Sequence, residues 1–117
     1  MKTKFITEVI IQIEAEGFHN YTNAPKEVSF LESRHRHNFI IKCGYKVTHD
    51  NREQEIFLCR EDVKNYLAIR FGIPCEFDSM SCEMIASAIL TIFETEMNWV
   101  EVWEEKTGGA RVEKVLT

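Results

Sequence analysis

The sequence has few residues that break regular structure: it holds only two prolines and five glycines in 117 residues. It also contains no low-complexity stretch, no block of like charges and no internal repeat. A chain of this length without a linker-like segment is typical of one domain with a single hydrophobic core. We therefore predict that residues 1–117 form one domain.

Long apolar runs are missing as well. No stretch approaches the ~18 consecutive apolar residues that a membrane-spanning helix needs. The N-terminal segment MKTKFITEVI alternates polar and apolar residues, unlike a signal peptide. The four cysteines are scattered without a CxxC pair, which favours reduced thiols in a cytoplasmic protein. A net charge of -5 argues against general nucleic-acid binding, since a phosphate backbone attracts basic surfaces.

Two kinds of periodicity follow one another along the chain. Alternation of apolar and polar residues predicts strands, and apolar residues at helical spacing predict helices. The predicted strands are 5–15, 37–47, 99–103 and 110–115, with 54–58 as a short strand returning on the second, and the predicted helices include 63–71 and 84–93. Gly72 and Pro74 end the first helix, and serines in DSMSCE, 78–83, cap the second. The order ββααββ predicts an α+β domain, a four-stranded antiparallel sheet with two helices on one face.

Two histidines stand one residue apart in the segment FLESRHRHNF, 30–39, at the start of the second long strand. On an extended strand His35 and His37 point to the same face as the apolar residues that follow them. The inward parity of the first strand, carried forward across Gly17, brings His19 to that face too. Three inward imidazoles at the ends of adjacent strands predict a zinc site with an open ligand position. The alternative is a polar rim bonded to carboxylates or water, and the spacing alone leaves both open.

Four short motifs, in the same order along the chain, resemble the 6-pyruvoyltetrahydropterin synthase and 6-carboxytetrahydropterin synthase family of T-fold proteins. They are IEAEGFH at 13–19, HRH at 35–37, MSCEMIA at 80–86 and VEVWEEKTGG at 100–109. The resemblance implies a T-fold with zinc held by His19, His35 and His37. It implies that Glu104 anchors a pterin or a related purine-derived ligand. It also implies a homo-oligomer (a trimer, tetramer or hexamer) in which sheet edges join and the sites lie between subunits.

The motifs for proton transfer are less complete than those for the metal. Where the resemblance places a catalytic cysteine, this chain has Leu31, with Glu32 one position later. The family's Asp-His pair has no counterpart in FGIPCEFDSM, and His49 with Asp50 in the turn THDNRE is the adjacent pair that remains. Catalytic residues are therefore not assigned, and Glu32, His49 and Asp50 are the candidates. If they act, the resemblance implies a zinc-dependent lyase-type reaction on a pterin-like substrate.

In the resembled family the loop after the first histidine borders the site, which implies that Tyr21 and Arg34 meet the ring or the phosphates of a ligand that Glu104 anchors. For Arg34 the alternative is a position at a subunit boundary. For Glu104 the alternative is an ordinary solvated acid in a turn. Two classes of function follow: a divergent 6-pyruvoyltetrahydropterin synthase-like protein with a zinc site, and a non-enzymatic protein that sequesters a nucleotide-derived ligand. A T-fold assembly subunit without a ligand is a third. Because the proton-transfer residues are incomplete, we predict ligand binding without efficient turnover.

Overall fold

The computed structural model describes residues 2–115 and has an α+β architecture, as predicted, with one five-stranded sheet and two α-helices in that range. The strands are β1 (Glu8–His19), β2 (His35–Lys46), β3 (Cys75–Glu76), β4 (Met97–Glu104) and β5 (Gly108–Glu113). The helices are α1 (Ile56–Phe71) and α2 (Cys82–Ile92), and a 3₁₀ segment, Lys26–Glu32, lies between β1 and β2. None of the helices in this part of the chain is both long and apolar enough to cross a membrane.

The sheet order is β3-β1-β2-β4-β5, which corrects the four-stranded antiparallel sheet predicted from the sequence. β1 and β2 pair antiparallel along their whole length, and the pairing ends with His19 opposite His35. β3 adds a fifth strand that runs parallel to β1 and pairs with it only at Gly17 and Phe18. A two-residue strand is too short to show alternation, so no sequence pattern predicts it.

Both helices pack on one face of the sheet and share one hydrophobic core with it. Buried side chains alternate along the strands and recur at helical spacing on α1 and α2. Core residues include Ile11, Ile13, Phe39, Ile41, Val63, Ile85 and Val102. The odd-numbered face of β1 and β2 is thus the helix side, and the same parity continues to the histidines at the strand ends.

Helix α1 begins earlier than the apolar spacing predicts, and the short strand predicted at 54–58 is wrong. Glu55 is the N-cap, and its carboxylate accepts a hydrogen bond from the backbone N–H of Leu58 at 3.1 Å. Residues 56–58 are all exposed, so three consecutive apolar residues have the composition of a strand without entering the core. Gly72, at φ 90°, ends α1 as predicted.

The face of the sheet opposite the helices carries two tryptophans. Trp99 is only 5% exposed. Its Nε1–H donates to the Glu8 carboxylate at 3.0 Å, and its ring lies over Gly44, its partner on β2. The Trp103 Nε1–H donates to Glu101, also at 3.0 Å. Tryptophan–carboxylate contacts therefore order this face, and the helices do not cover it.

Candidate functional site

Three histidines meet where the end of β1 lies beside the start of β2. His19 lies opposite His35 in the pairing of the two strands, and His37 lies opposite Gly17. One ring nitrogen of each histidine lies within 4.8 Å of those of the other two. The ring centroids are 4.6 Å apart for His19 and His35, 5.2 Å for His19 and His37, and 5.0 Å for His35 and His37. The predicted clustering of these three rings is confirmed.

Aromatic side chains form a floor beneath the cluster. Phe39 is fully buried and meets His19 edge-on at a centroid distance of 5.3 Å and His37 at 5.5 Å. Phe77 packs on Phe39 at 5.0 Å. A Cβ atom at Gly17 would lie 2.8 Å from the Phe77 ring and 3.1 Å from the Phe39 ring, so glycine leaves room for both. One side of the cluster is therefore dry and closely packed.

Two of the three imidazoles are oriented by backbone carbonyl groups. The Nδ1–H of His19 donates to the carbonyl oxygen of Met80, and that of His35 donates to the carbonyl oxygen of Ser33, both at 2.9 Å. Because a carbonyl oxygen only accepts, each neutral ring carries its proton on Nδ1 and keeps a free lone pair on Nε2. Nε2 is thus the metal-binding atom that each ring presents.

The third imidazole, His37, is oriented by a carboxylate that sequence reasoning missed. Its Nδ1–H donates to Oε1 of Glu105 at 2.8 Å, and the other oxygen of Glu105 accepts from the backbone N–H of Asn38. The Glu105 backbone lies in the left-handed region at φ 50°. Although burial acts to raise it, the bonds from Asn38 and His37 lower the pKa of Glu105 below its ordinary value. The only sequence signal was a second acid directly after Glu104.

Two of the inward nitrogen atoms, Nε2 of His19 and Nε2 of His37, are buried without a hydrogen-bond partner. Oε2 of Glu104 lies 3.1 Å from the first and 3.6 Å from the second, but neither contact has the geometry of a hydrogen bond. Unpartnered buried polar atoms are uncommon in folded proteins. Imidazole nitrogen atoms this close together, on rings that each have an outer acceptor on Nδ1, fit a zinc ion.

The protonation state of His19 agrees with that donor set. Burial lowers the pKa of His19 below its ordinary value, and the side chain is only 7% exposed. The Met80 carbonyl and the Glu104 carboxylate act in the opposite direction, and the two neighbouring imidazoles lower the pKa further. His19 is therefore neutral at pH 7, the state in which imidazole binds a metal.

A cysteine thiol borders the cluster from the start of α2. Burial raises the pKa of Cys82 to about 12, and the carboxylates of Glu104 and Glu83 add to the shift. The thiol is therefore protonated at neutral pH, and it is a weak hydrogen-bond donor beside Glu104.

Of the predicted ligand-binding residues, the structure brings Glu104 to the histidine cluster. Arg34 is engaged elsewhere: its guanidinium pairs with Glu76 and stacks over the Phe18 ring at 3.6 Å. Tyr21 lies in the loop that follows β1 and is 47% exposed. A cleft of about 490 Å³ runs along α2, but neither the three histidines nor Glu104 lines it.

Two of the three catalytic candidates, His49 and Asp50, lie far from the histidines along β2. Glu32 is exposed at the end of the 3₁₀ segment. His49 and Asp50 lie in the turn after β2, roughly 35 Å along that strand from His35. The Nε2 of His49 lies 3.6 Å from the carboxylate of Glu53. Within one chain, His49 and Asp50 therefore do not reach the cluster.

Replacing Glu105 by alanine should weaken zinc binding by roughly 10–100-fold, the range for loss of an outer partner of a metal-bound histidine. The reason is that His37 loses the acceptor that fixes its ring and its tautomer. Glu105→Gln should lose less affinity, since an amide oxygen still accepts from Nδ1–H. Zinc affinity is measured by competition with a coloured chelator, with Glu113→Ala, an exposed acid on β5, as the control. Wild-type affinity in Glu105→Ala would show that Glu105 does not position His37.

Comparison with known proteins assigns no family to this chain. No protein-family model matches it, and no curated protein matches it significantly. The interpretation of the site therefore rests on its own geometry.

Proposed function

We propose that this chain is a zinc-binding T-fold protein, similar to the 6-pyruvoyltetrahydropterin synthases, that binds a pterin or purine-derived ligand beside its metal. The observation that carries the proposal is the cluster of three imidazoles whose Nδ1 atoms are each held by an outer acceptor. This arrangement orients the free lone pairs before a metal ion arrives, and such outer acceptors accompany metal-bound histidines. A solvated rim of histidines would not bury two of these nitrogen atoms without partners.

The residues that would hold the ion are His19, His35 and His37, and three protein ligands leave a position for water or for an oxygen of the ligand. Zinc, when bound there, supplies a Lewis acid that polarises such an oxygen. The protein contributes neutral, pre-oriented imidazoles. It also contributes the floor formed by Phe39 and Phe77, both almost fully buried, which excludes water from one side.

Glu104 supports the ligand part of the proposal. It is the last residue of β4, it borders the imidazole cluster, and its side chain is 34% exposed, so a ligand can reach it. A carboxylate in this place accepts two N–H bonds from the amidine edge of a pterin or guanine, a charge-assisted contact.

Ligand binding without efficient turnover is the form of the function that the site favours. Leu31 occupies the position that the resemblance gives to a cysteine, and His49 and Asp50 lie at the far end of β2. A zinc-dependent lyase-type enzyme is the second candidate and requires a proton-transfer group from outside the single chain. The third candidate, a T-fold assembly subunit without a ligand, does not explain why each imidazole has an acceptor on its Nδ1.

Zinc-loaded protein should bind a pterin or a guanine nucleotide, and Glu104→Gln should weaken that binding by roughly 10–100-fold. This corresponds to loss of a charge-assisted hydrogen bond worth about 1.5–3 kcal/mol. Isothermal calorimetry at saturating zinc measures it, with Glu101→Gln as the control because Glu101 bonds to Trp103 on the other face. Mass spectrometry of the incubated ligand should return it unchanged. Rapid conversion would favour the enzyme, and absence of binding by either ligand class would remove the ligand from the proposal.

An oligomer is part of the same proposal, because the sheet has open edges. β1 pairs with β3 at only two residues, which leaves the rest of its outer edge free of strand partners, and β5 has no outer partner within residues 2–115. Open edges of this kind tend to pair with another chain. Light scattering at micromolar concentration should give a trimer, tetramer or hexamer. A monomer would contradict the assembled T-fold.

A reducing, cytoplasmic location completes the proposal. All four cysteines are free, and three of them are buried. Burial raises the pKa of Cys43 to about 12 and that of Cys75 to about 11, so both thiols are unreactive at neutral pH. Free buried cysteines are typical of proteins that fold in a reducing compartment.

A further inference from the structure

The carboxylate of Glu104 lies beside two of the imidazole nitrogen atoms. Glu104 ends β4 opposite Phe39 of β2, and this register places its side chain beside the two histidines that contact the Phe39 ring. Its Oε2 atom lies 3.1 Å from Nε2 of His19 and 3.6 Å from Nε2 of His37. These three atoms, from Glu104, His19 and His37, therefore form a compact group beside the cluster.

When both rings are neutral and the carboxyl group is ionised, all three atoms of this group are acceptors. The Nδ1–H groups of His19 and His37 donate outward, so Nε2 of each neutral ring carries a lone pair, as does the carboxylate oxygen. No hydrogen bond joins either nitrogen to the oxygen. Acceptors held this close beside a side chain that is 7% exposed, as His19 is, repel one another unless a cation lies between them.

The distances from the Glu104 oxygen to the two nitrogen atoms are close to those between ligands around one zinc ion. Two ligand atoms bound to tetrahedral zinc at 2.0–2.1 Å lie about 3.3–3.4 Å from each other. The distances from Glu104 Oε2 to the two nitrogen atoms, 3.1 Å and 3.6 Å, lie on either side of that value. Carboxylate oxygen and imidazole nitrogen are both ordinary zinc ligands.

We infer that Glu104 is the fourth ligand of the metal in the ligand-free protein, which closes the site as three histidines and one carboxylate. The inference rests on the metal site proposed above. It differs from the resemblance in that Glu104 binds the metal when the organic ligand is absent. A pterin or purine that takes up this carboxylate through its N–H groups must draw it away from the metal. The exchange opens a coordination position at the moment when the ligand arrives.

The test is the structure of the zinc-loaded full-length protein, by crystallography or X-ray absorption, together with zinc affinities of Glu104→Gln, Glu101→Gln and His35→Ala. Glu101→Gln is the matched control, because it removes the same charge from the same strand on the face that bonds to Trp103 and Arg111. We expect a Glu104 oxygen 2.0–2.2 Å from zinc. We also expect Glu104→Gln to lose at least about tenfold in affinity, no less than removal of an outer-shell partner, while Glu101→Gln binds as wild type.

Each other result is decisive. Zinc held by the three histidines and a water, with both oxygens of Glu104 more than about 3 Å away, would overturn this inference and leave the metal site intact. A wild-type zinc affinity in Glu104→Gln would do the same. Zinc affinity that is unchanged in His35→Ala would instead overturn the metal site itself, and this inference with it.

Discussion

Replacing His35 or His37 by alanine should lower the affinity for zinc by more than about 100-fold, beyond the range for removal of an outer-shell partner. Each substitution removes one of the three imidazole ligands, and two histidines with a partly exposed carboxylate do not hold the ion tightly. The chain should remain folded, because both side chains are partly exposed at the end of the sheet and neither belongs to the hydrophobic core. Chelator competition gives the affinity, and circular dichroism checks the fold.

The chain supplies its own control for this experiment, since it has four histidines and one of them lies outside the cluster. His49 is exposed in the turn after β2, and His49→Ala should bind zinc as the wild type does. Equal losses in His49→Ala and His35→Ala would indicate adventitious binding by surface histidines. Equal affinity in His35→Ala and wild type would mean that the cluster is not the metal site.

Replacing Gly44 by alanine should destabilise the fold by roughly 1–3 kcal/mol or more, the cost of overpacking a close-packed region. A Cβ atom at Gly44 would overlap the indole of Trp99 at Nε1 and Cε2. The indole cannot move aside freely, because it is 5% exposed, donates to Glu8 and lies beneath the Arg111 guanidinium. Urea unfolding should show a lower midpoint with an unchanged slope.

Gly108→Ala is the matched control for this substitution. A Cβ atom at Gly108 would have no neighbour within 4 Å, so the same chemical change should leave the free energy of unfolding almost unaltered. Equal stability of the two variants would mean that Trp99 does not pack on Gly44. Gly44→Ala protein that remains folded should still bind zinc, since Gly44 points away from the histidine face.

The metal ligands could be predicted because strand pairing preserves parity. Apolar residues at Ile11 and Ile13 define the inward face of β1, and pairing with β2 runs through Gly17 without a bulge, so His19 keeps that face. On β2 the HxH spacing likewise places two residues on one face, so His35 and His37 lie on the same side of the strand as Phe39. Alternation along the strand was enough to predict these ligands because no bulge interrupts the pairing of β1 with β2.

The outer partners of the histidines could not be predicted in the same way. Met80 and Ser33 act through backbone carbonyl oxygen atoms, which every residue has, so no side-chain pattern marks them. Glu105 depends on a left-handed turn residue that places its carboxylate next to β2. These contacts arise from how loops cross the ends of the sheet, and that is a tertiary property.

Local composition is a poor guide to structure where it conflicts with tertiary packing. The exposed apolar residues 56–58 have the composition of a strand, yet Glu55 caps them into α1. β3 exists because the chain after α1 passes beside Gly17, and two residues of pairing leave no trace in the sequence. The contact between Gly44 and Trp99 joins positions 55 residues apart and was likewise invisible to periodicity.

The central claim is that one zinc ion binds to Nε2 of His19, His35 and His37. Nitrogen-detected NMR of the imidazole rings during a zinc titration of protein purified without a histidine tag tests it most directly. We predict that Nε2 of these three rings responds, that Nδ1 keeps its proton in each, that His49 is unaffected, and that the response saturates at one zinc per chain. A response at Nδ1, or a response of His49 together with unchanged cluster rings, would contradict the account.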